Sequence, residues 1–319
     1  MSASGGFRFS TNVFGLRSAA DFAAYCRRVE ELGYDALYSA DHLGGAAPFQ
    51  EVVAAAAVTS RIRLGTLVLN VPFWNPALLA REIATADILT EGRLEVGLGS
   101  GHMKWEFDEA GIGWVPAGAR ADRLSEAIAE VGRIFAAGGY EQRKALERHF
   151  GIPPLLPLQR RGFGGFGPPL LVGGTGDRVL RIAARSADIV AVAGTAQVAG
   201  KPPGTFRLCT AEETDERVRF ARSAARDRAD AVEWQALVQQ VIVTGDRRAA
   251  AVEFAAEDDG AMTATQVLET PFLFIGTADE IASQILRNRE RYGFTHYTVH
   301  GPFAEALTPV IERVRALTP

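Results

Sequence analysis

Short apolar runs alternate with longer stretches of helical periodicity along nearly the whole chain, and this alternation leaves few folds open. Runs at Phe7–Phe14, Ala36–Ala40, Ile62–Leu69, Leu94–Leu98, Leu170–Val172, Ile189–Ala193, Ala236–Val243 and His296–Val299 read as strands. Between them lie helix patterns at Ser18–Leu32, Phe49–Thr59, Pro76–Leu89, Arg120–Ala136, Asp177–Ser186, Thr214–Ala231, Arg247–Asp258 and Asp279–Tyr292. Ser18 suits an N-cap, Gly33 a left-handed C′ position, Pro76 a first helical turn and Gly92 a helix stop. Strands joined by crossover helices must be parallel, and a parallel sheet is buried on both faces, as Leu67-Val68-Leu69 requires.

An open doubly wound sheet would carry its glycine fingerprint after the first strand, and Phe14-Gly15-Leu16-Arg17 has none. Eight βα units in 319 residues therefore predict a (β/α)8 barrel, a TIM barrel forming one domain over 1–319, with an irregular Gly/Pro-rich insertion at 138–169 between strands 4 and 5. A net charge of −4 offers no basic field for nucleic acid or an anionic membrane. No segment approaches a membrane span, and the first residues lack a basic region followed by an apolar run, so a cytoplasmic location is expected. Cys26 and Cys209 read as structural. The five histidines show no metal-ligand spacing, so no metal site is expected.

In such a barrel the ligand lies at the C-terminal strand ends. After the second strand come Asp41 and His42, where the carboxylate could set the imidazole's tautomer, the alternative being a structural histidine. The third strand ends in Asn70 and a loop holding Trp74, which either packs at the rim or meets a planar ring. After the fourth, Ser100, Gly101 and His102 reach the rim. The fifth ends in Gly173-Gly174-Thr175-Gly176 before a helix N-terminus, a combination suited to phosphate. With metal ligands and a G-x-S-x-G elbow both missing, chemistry by a bound redox cofactor is the reading that remains.

Arg61-Ile62-Arg63-Leu64-Gly65-Thr66, the segment Pro76 to Glu82, and Glu91-Gly92-Arg93-Leu94-Glu95-Val96-Gly97-Leu98-Gly99-Ser100-Gly101 resemble the luciferase-like monooxygenase superfamily. Gly101 to Gly111, and Pro168 to Gly174 with the helix after it, resemble its F420-dependent oxidoreductase subgroup. The resemblance implies coenzyme F420, or alternatively FMN, in the barrel mouth. It implies ring contacts at Asp41 and His42, and a bulge with a non-prolyl cis peptide around Thr66, Leu67 and Val68. The cofactor chain and phosphate then map to Ser100, Gly101, Gly173, Gly174 and Thr175, with Asn70 beside them.

Sugar-phosphate dehydrogenases of that superfamily carry an acidic proton donor after the strand-4 glycines, where this chain has His102. The acid/base role is thus open among His42, held by Asp41, His102 and Glu106. Trp74, His102, Met103, Trp105 and the 138–169 insertion are expected to shape the substrate pocket, with Gly162–Gly167 a mobile loop near it. The functions implied are F420-dependent hydride transfer to or from a small organic molecule, two-component FMN monooxygenation with a flavin reductase as partner, or a non-catalytic flavin-binding barrel. A homo-oligomer is expected from the family.

Overall fold

The computed structural model describes residues 6–13, 15–257 and 261–318. Eight parallel strands close on themselves: β1 (Arg8–Asn12), β2 (Ala36–Ser39), β3 (Arg63–Thr66), β4 (Leu94–Gly99), β5 (Leu170–Gly174), β6 (Ile189–Val192), β7 (Glu233–Val238) and β8 (His296–Val299). Each pairs with the next, β8 returns to β1, and β3 pairs with β4 through Leu64↔Leu94 and Gly65↔Glu95. This is the expected (β/α)8 barrel.

The crossover helices are α1 (Ala19–Glu31), α2 (Pro48–Ala56), α3 (Pro76–Leu89), α4 (Ala117–Ala136), α5 (Asp177–Ser186), α6 (Ala211–Ala225), α7 (Ala278–Tyr292) and α8 (Ala304–Leu317). Local chemistry sets their starts. Ser18 Oγ accepts the Asp21 N–H, Asn75 Oδ1 accepts those of Ala77 and Leu78 ahead of Pro76, and Thr210 and Thr277 close capping boxes with Glu213 and Glu280. Their apolar stripes bury Phe22, Leu79, Ile83, Leu124, Val131, Leu180, Ile285 and Val310 against the outer faces of the strands. Cys26 and Cys209 are both buried, and burial pushes their thiols up, to about 12 and about 11. No helix among the described residues is long and apolar enough to cross a membrane.

Three departures from the sequence reading concern the site. The seventh apolar run is not one strand. It breaks at Gln239, and Gln240–Val243 leaves the barrel to pair in parallel with Leu273–Gly276, a strand the sequence reading passed over. Secondly, the part of the insertion that leads into β5 does not face the mouth. Leu158 and Gln159 donate to Asp87 Oδ2 near the end of α3, and Gln159 bonds Arg63 and the carbonyl of Leu94, at the N-terminal strand ends, while Tyr140 Oη donates to Ala77 O in the first turn of α3. The chain enters a strand from its N-terminal end, so residues leading into β5 must lie there. Thirdly, Gly162–Gly167 is a hydrogen-bonded turn. The N–H groups of Gly165, Phe166 and Gly167 all reach Gly162 O, and Phe163 is buried edge-on against Phe135. Position 14 of the first run and position 258 of the Arg247–Asp258 helix lie outside the described residues.

Candidate active site

The interior of the barrel is layered. At the N-terminal end, Glu95 receives Arg8, Arg63 and the Tyr38 hydroxyl at 2.5–2.9 Å. Burial alone would raise the Glu95 carboxyl, but the two guanidinium groups hold it below the ordinary range. Glu233 lies 2.9 Å from His296 Nδ1 and accepts two bonds from Arg8, which, against the opposing effect of burial, hold its carboxyl at about 2. Above it His296 Nε2, Ser10, Thr298 and Gln235 form a buried hydrogen-bonded string. At the mouth, Asn12 and Gln239 flank His300, whose pKa burial lowers. The sequence reading missed Asn12, Gln239 and His300. Their signal was position, since each lies at the C-terminal end of an inward-facing strand.

Two further ends of strands build the reactive corner. His42 follows β2 and Glu106 sits on the short helix Lys104–Glu109, and His42 Nδ1 meets Glu106 Oε1 at 2.7 Å. Glu106 is almost wholly buried, whereas nearly half of the His42 side chain is open. The expected Asp41–His42 couple is therefore replaced. Asp41 Oδ2 accepts the N–H of Asn70 and the indole N–H of Trp74, tying the third strand's loop to the second strand's. Adjacent residues on an extended backbone point to opposite sides, so Asp41 turns to the loop while His42 turns to the mouth.

The His102 ring stands edge-on to His42 at 5.7 Å and to Phe206 at 5.5 Å. Phe206 belongs to an antiparallel hairpin, Thr195–Gln197 with Phe206–Leu208, after β6. Lost hydration, then the charges of His42 and Arg120, push the His102 pKa down to about 4, so the ring is neutral near pH 7. Met103 starts the Lys104–Glu109 helix with its sulfur near Gly204 of the hairpin, and Trp105 is half exposed. Trp74 packs edge-on against Phe49 rather than lying open as a platform.

Next to this corner the wall is made of backbone. The Leu67–Val68 peptide is cis, as the resemblance implied. Thr66 Oγ1 is spent on the N–H and carbonyl of Gly97, which leaves nothing to offer a ligand. The Val68 side chain fills the space beside Gly97, Gly99 and Gly173: a Cβ on Gly99 would press into it, one on Gly97 would strike the Thr66 carbonyl first, and one on Gly173 would make ordinary contact. A Cβ on Gly174 would press against Val179, while Gly173, Gly174 and Thr175 stay partly open and Gly176, ahead of α5, is exposed. Gly101 takes φ +75° and lies against Asn70 Oδ1 and Phe107.

Two buried groups here have no partner. Both amide atoms of Asn70 lack one, and so does Nε of Arg120, a buried guanidinium 3.7 Å over the Trp114 ring that spends one N–H on Val115 O. An unsatisfied buried polar group costs about 1–3 kcal/mol, so such groups collect where a ligand completes them. Arg120 was read from the sequence only as the start of a helix pattern.

The model of the family described as luciferase-like monooxygenase matches residues 8–296. An F420-dependent glucose-6-phosphate dehydrogenase of Kribbella flavida is 27% identical over 97% of this chain and 98% of its own. The oxygenase component of a flavin-dependent trigonelline monooxygenase of Acinetobacter baylyi is 31% identical over 36% of this chain and 33% of its own. Among solved structures, the coenzyme F420-dependent tetrahydromethanopterin reductase of Methanopyrus kandleri shares the fold, with a TM-score of 0.69 and 17% identity over 99% of this chain and 100% of that one.

Proposed function

The chain belongs to the luciferase-like monooxygenase family, and on that footing we propose that it is an F420-dependent oxidoreductase moving a hydride between the deazaflavin C5 and a small organic substrate. The observation that carries the reading is the His42–Glu106 pair at the mouth of a barrel that aligns end to end with an F420-dependent relative.

The residues present fit such a cofactor. Asn70 has a free carboxamide for the polar edge of a ring, Arg120 a buried cation for an anionic group, and Ser100, Gly101 and Thr175 lie at neighbouring strand ends. When bound, F420 supplies two-electron hydride chemistry. The chain's own work is proton handling and positioning. The buried Glu106 carboxylate takes the Nδ1–H of His42 and so leaves Nε2 as the basic nitrogen facing the mouth. From there His42 accepts a proton from a substrate hydroxyl, or in the reverse direction returns it to a carbonyl oxygen. His102, neutral and edge-on to Phe206, makes a wall rather than a charge.

A second reading, FMN-dependent monooxygenation with a separate reductase, is favoured by the trigonelline monooxygenase relative. Fluorescence titration of the purified chain with oxidised F420 and with FMN, side by side, separates the two. Tight F420 and weak FMN binding is the expected result. The reverse preference, with oxygen uptake on supplied reduced FMN, moves the assignment to the monooxygenases.

A further inference from the structure

The Gly162–Gly167 turn, which the site described above does not use, forms one wall of a cleft of about 610 Å3 at the opposite end of the barrel. Its floor is the C-terminal half of α4, with Ile128, Ala129, Gly132 and Ala136, and its rim carries Phe166, nearly half exposed. The turn packs against the helix at Gly132, where a Cβ would stand in ordinary contact with Phe163 O. Four arginines line this cleft against one aspartate. Two of them are committed: Arg133 pairs with Glu130, and Arg228 donates to Ala184 O and Ala187 O at the end of α5. The aspartate, Asp188, accepts the Leu170 N–H. The side chains of Arg161 and Arg185 have no hydrogen-bond or ion-pair partner among the described residues, although the Arg161 backbone N–H donates to Gly167 O.

Guanidinium groups are forks for oxyanions, and two of them unpaired beside an apolar floor make a recognisable combination. We propose that this cleft is a second binding site, separate from the barrel mouth, for a small ligand with a flat apolar body and one terminal phosphate or carboxylate. The oxyanion is held between Arg161 and Arg185, and the body lies on α4 beneath Phe166. The site contributes no group to the chemistry at the mouth, so the inference stands whichever cofactor the mouth takes.

Isothermal titration of the full chain with phenyl phosphate, benzoate and inorganic phosphate tests it. Phenyl phosphate should bind saturably in the submillimolar range, and Arg161→Glu or Arg185→Glu should each weaken it about tenfold or more. Arg219→Glu, a charge reversal on the exposed side of α6, and Arg120→Ala, at the mouth, should leave it unchanged. Phe166→Ala should weaken phenyl phosphate and not inorganic phosphate. Absence of saturation overturns the site, as does an equal loss on Arg219→Glu. Loss on Arg120→Ala alone places the ligand in the mouth and overturns it too. Inorganic phosphate binding as tightly as phenyl phosphate overturns the ligand class. Melting curves confirm that each variant is folded, with F420 or FMN binding as a second check for all but Arg120→Ala, and Arg161→Ala replaces any reversal that is not.

Discussion

At the N-terminal end of the barrel Glu95 answers Arg8, Arg63 and Tyr38, whereas at the C-terminal end the carboxamide of Asn70 and the Nε of Arg120 answer nothing. Both ends bury polar groups inside the same cylinder of strands. One end has completed its bonds with its own residues, so its charges lock register and contribute to stability. The other holds donors and acceptors ready, an arrangement that only a bound molecule makes favourable. Polar saturation thus sets the Glu95 cluster apart from Asn70 and Arg120, the groups proposed to meet a cofactor.

The comparison breaks most visibly at Glu95. Replacing it with Ala leaves Arg63 without its carboxylate and Arg8 with Glu233 alone, and stability should fall by about 3 kcal/mol, read by urea denaturation. An unchanged midpoint would mean that the network is dispensable. Next in size is His42→Ala, expected to cut turnover about a hundredfold or more while the cofactor still binds. Glu106→Gln should cost less, about tenfold, and change the pH profile, because the ring is kept but its orienting charge is lost. Asn70→Ala should lower cofactor affinity by about 1 kcal/mol without lowering the melting temperature, the opposite of Glu95. Equal effects on both would dissolve the distinction between the two ends.

The smallest effect belongs to His102. Its pKa in the folded chain, about 4, lies below the ordinary 6.5, so the unfolded chain takes up the proton first. Stability present above pH 6.5 is therefore lost as the pH falls toward 4. His102→Gln should flatten that part of the acid limb in a melting-temperature series, and a limb of unchanged slope would show that the ring is hydrated like any surface histidine.

The barrel was legible because each crossover helix carries its own stripe and caps, and because runs such as Leu94–Leu98 can only be buried. Leu273–Gly276 had the same signal, an apolar run between Pro271 and Gly276, but it pairs outside the barrel, and pairing partners are not written into a run. The residues of the mouth could be found from their places at the strand ends. Their partners could not. Glu106 stands 64 residues from His42, and only the path of the Lys104–Glu109 helix brings them together, while the neighbour in sequence, Asp41, faces the other way. The Gly-rich turn was misplaced because its composition suggests mobility, and only its position just before β5 fixes which end of the barrel it joins.

The Val68 side chain, set among Gly97, Gly99 and Gly173, limits how this wall can change over time. A larger residue at Gly99 collides unless Val68 shrinks with it, whereas at Gly97 a Cβ would strike the backbone carbonyl of Thr66, a clash that no change at Val68 relieves. Diversification, natural or by design, is thereby channelled to a segment free of that lock, the hairpin bearing Phe206. A library built on that hairpin varies side chains beside His102, whereas one built on the strand glycines mainly samples unfolded chains.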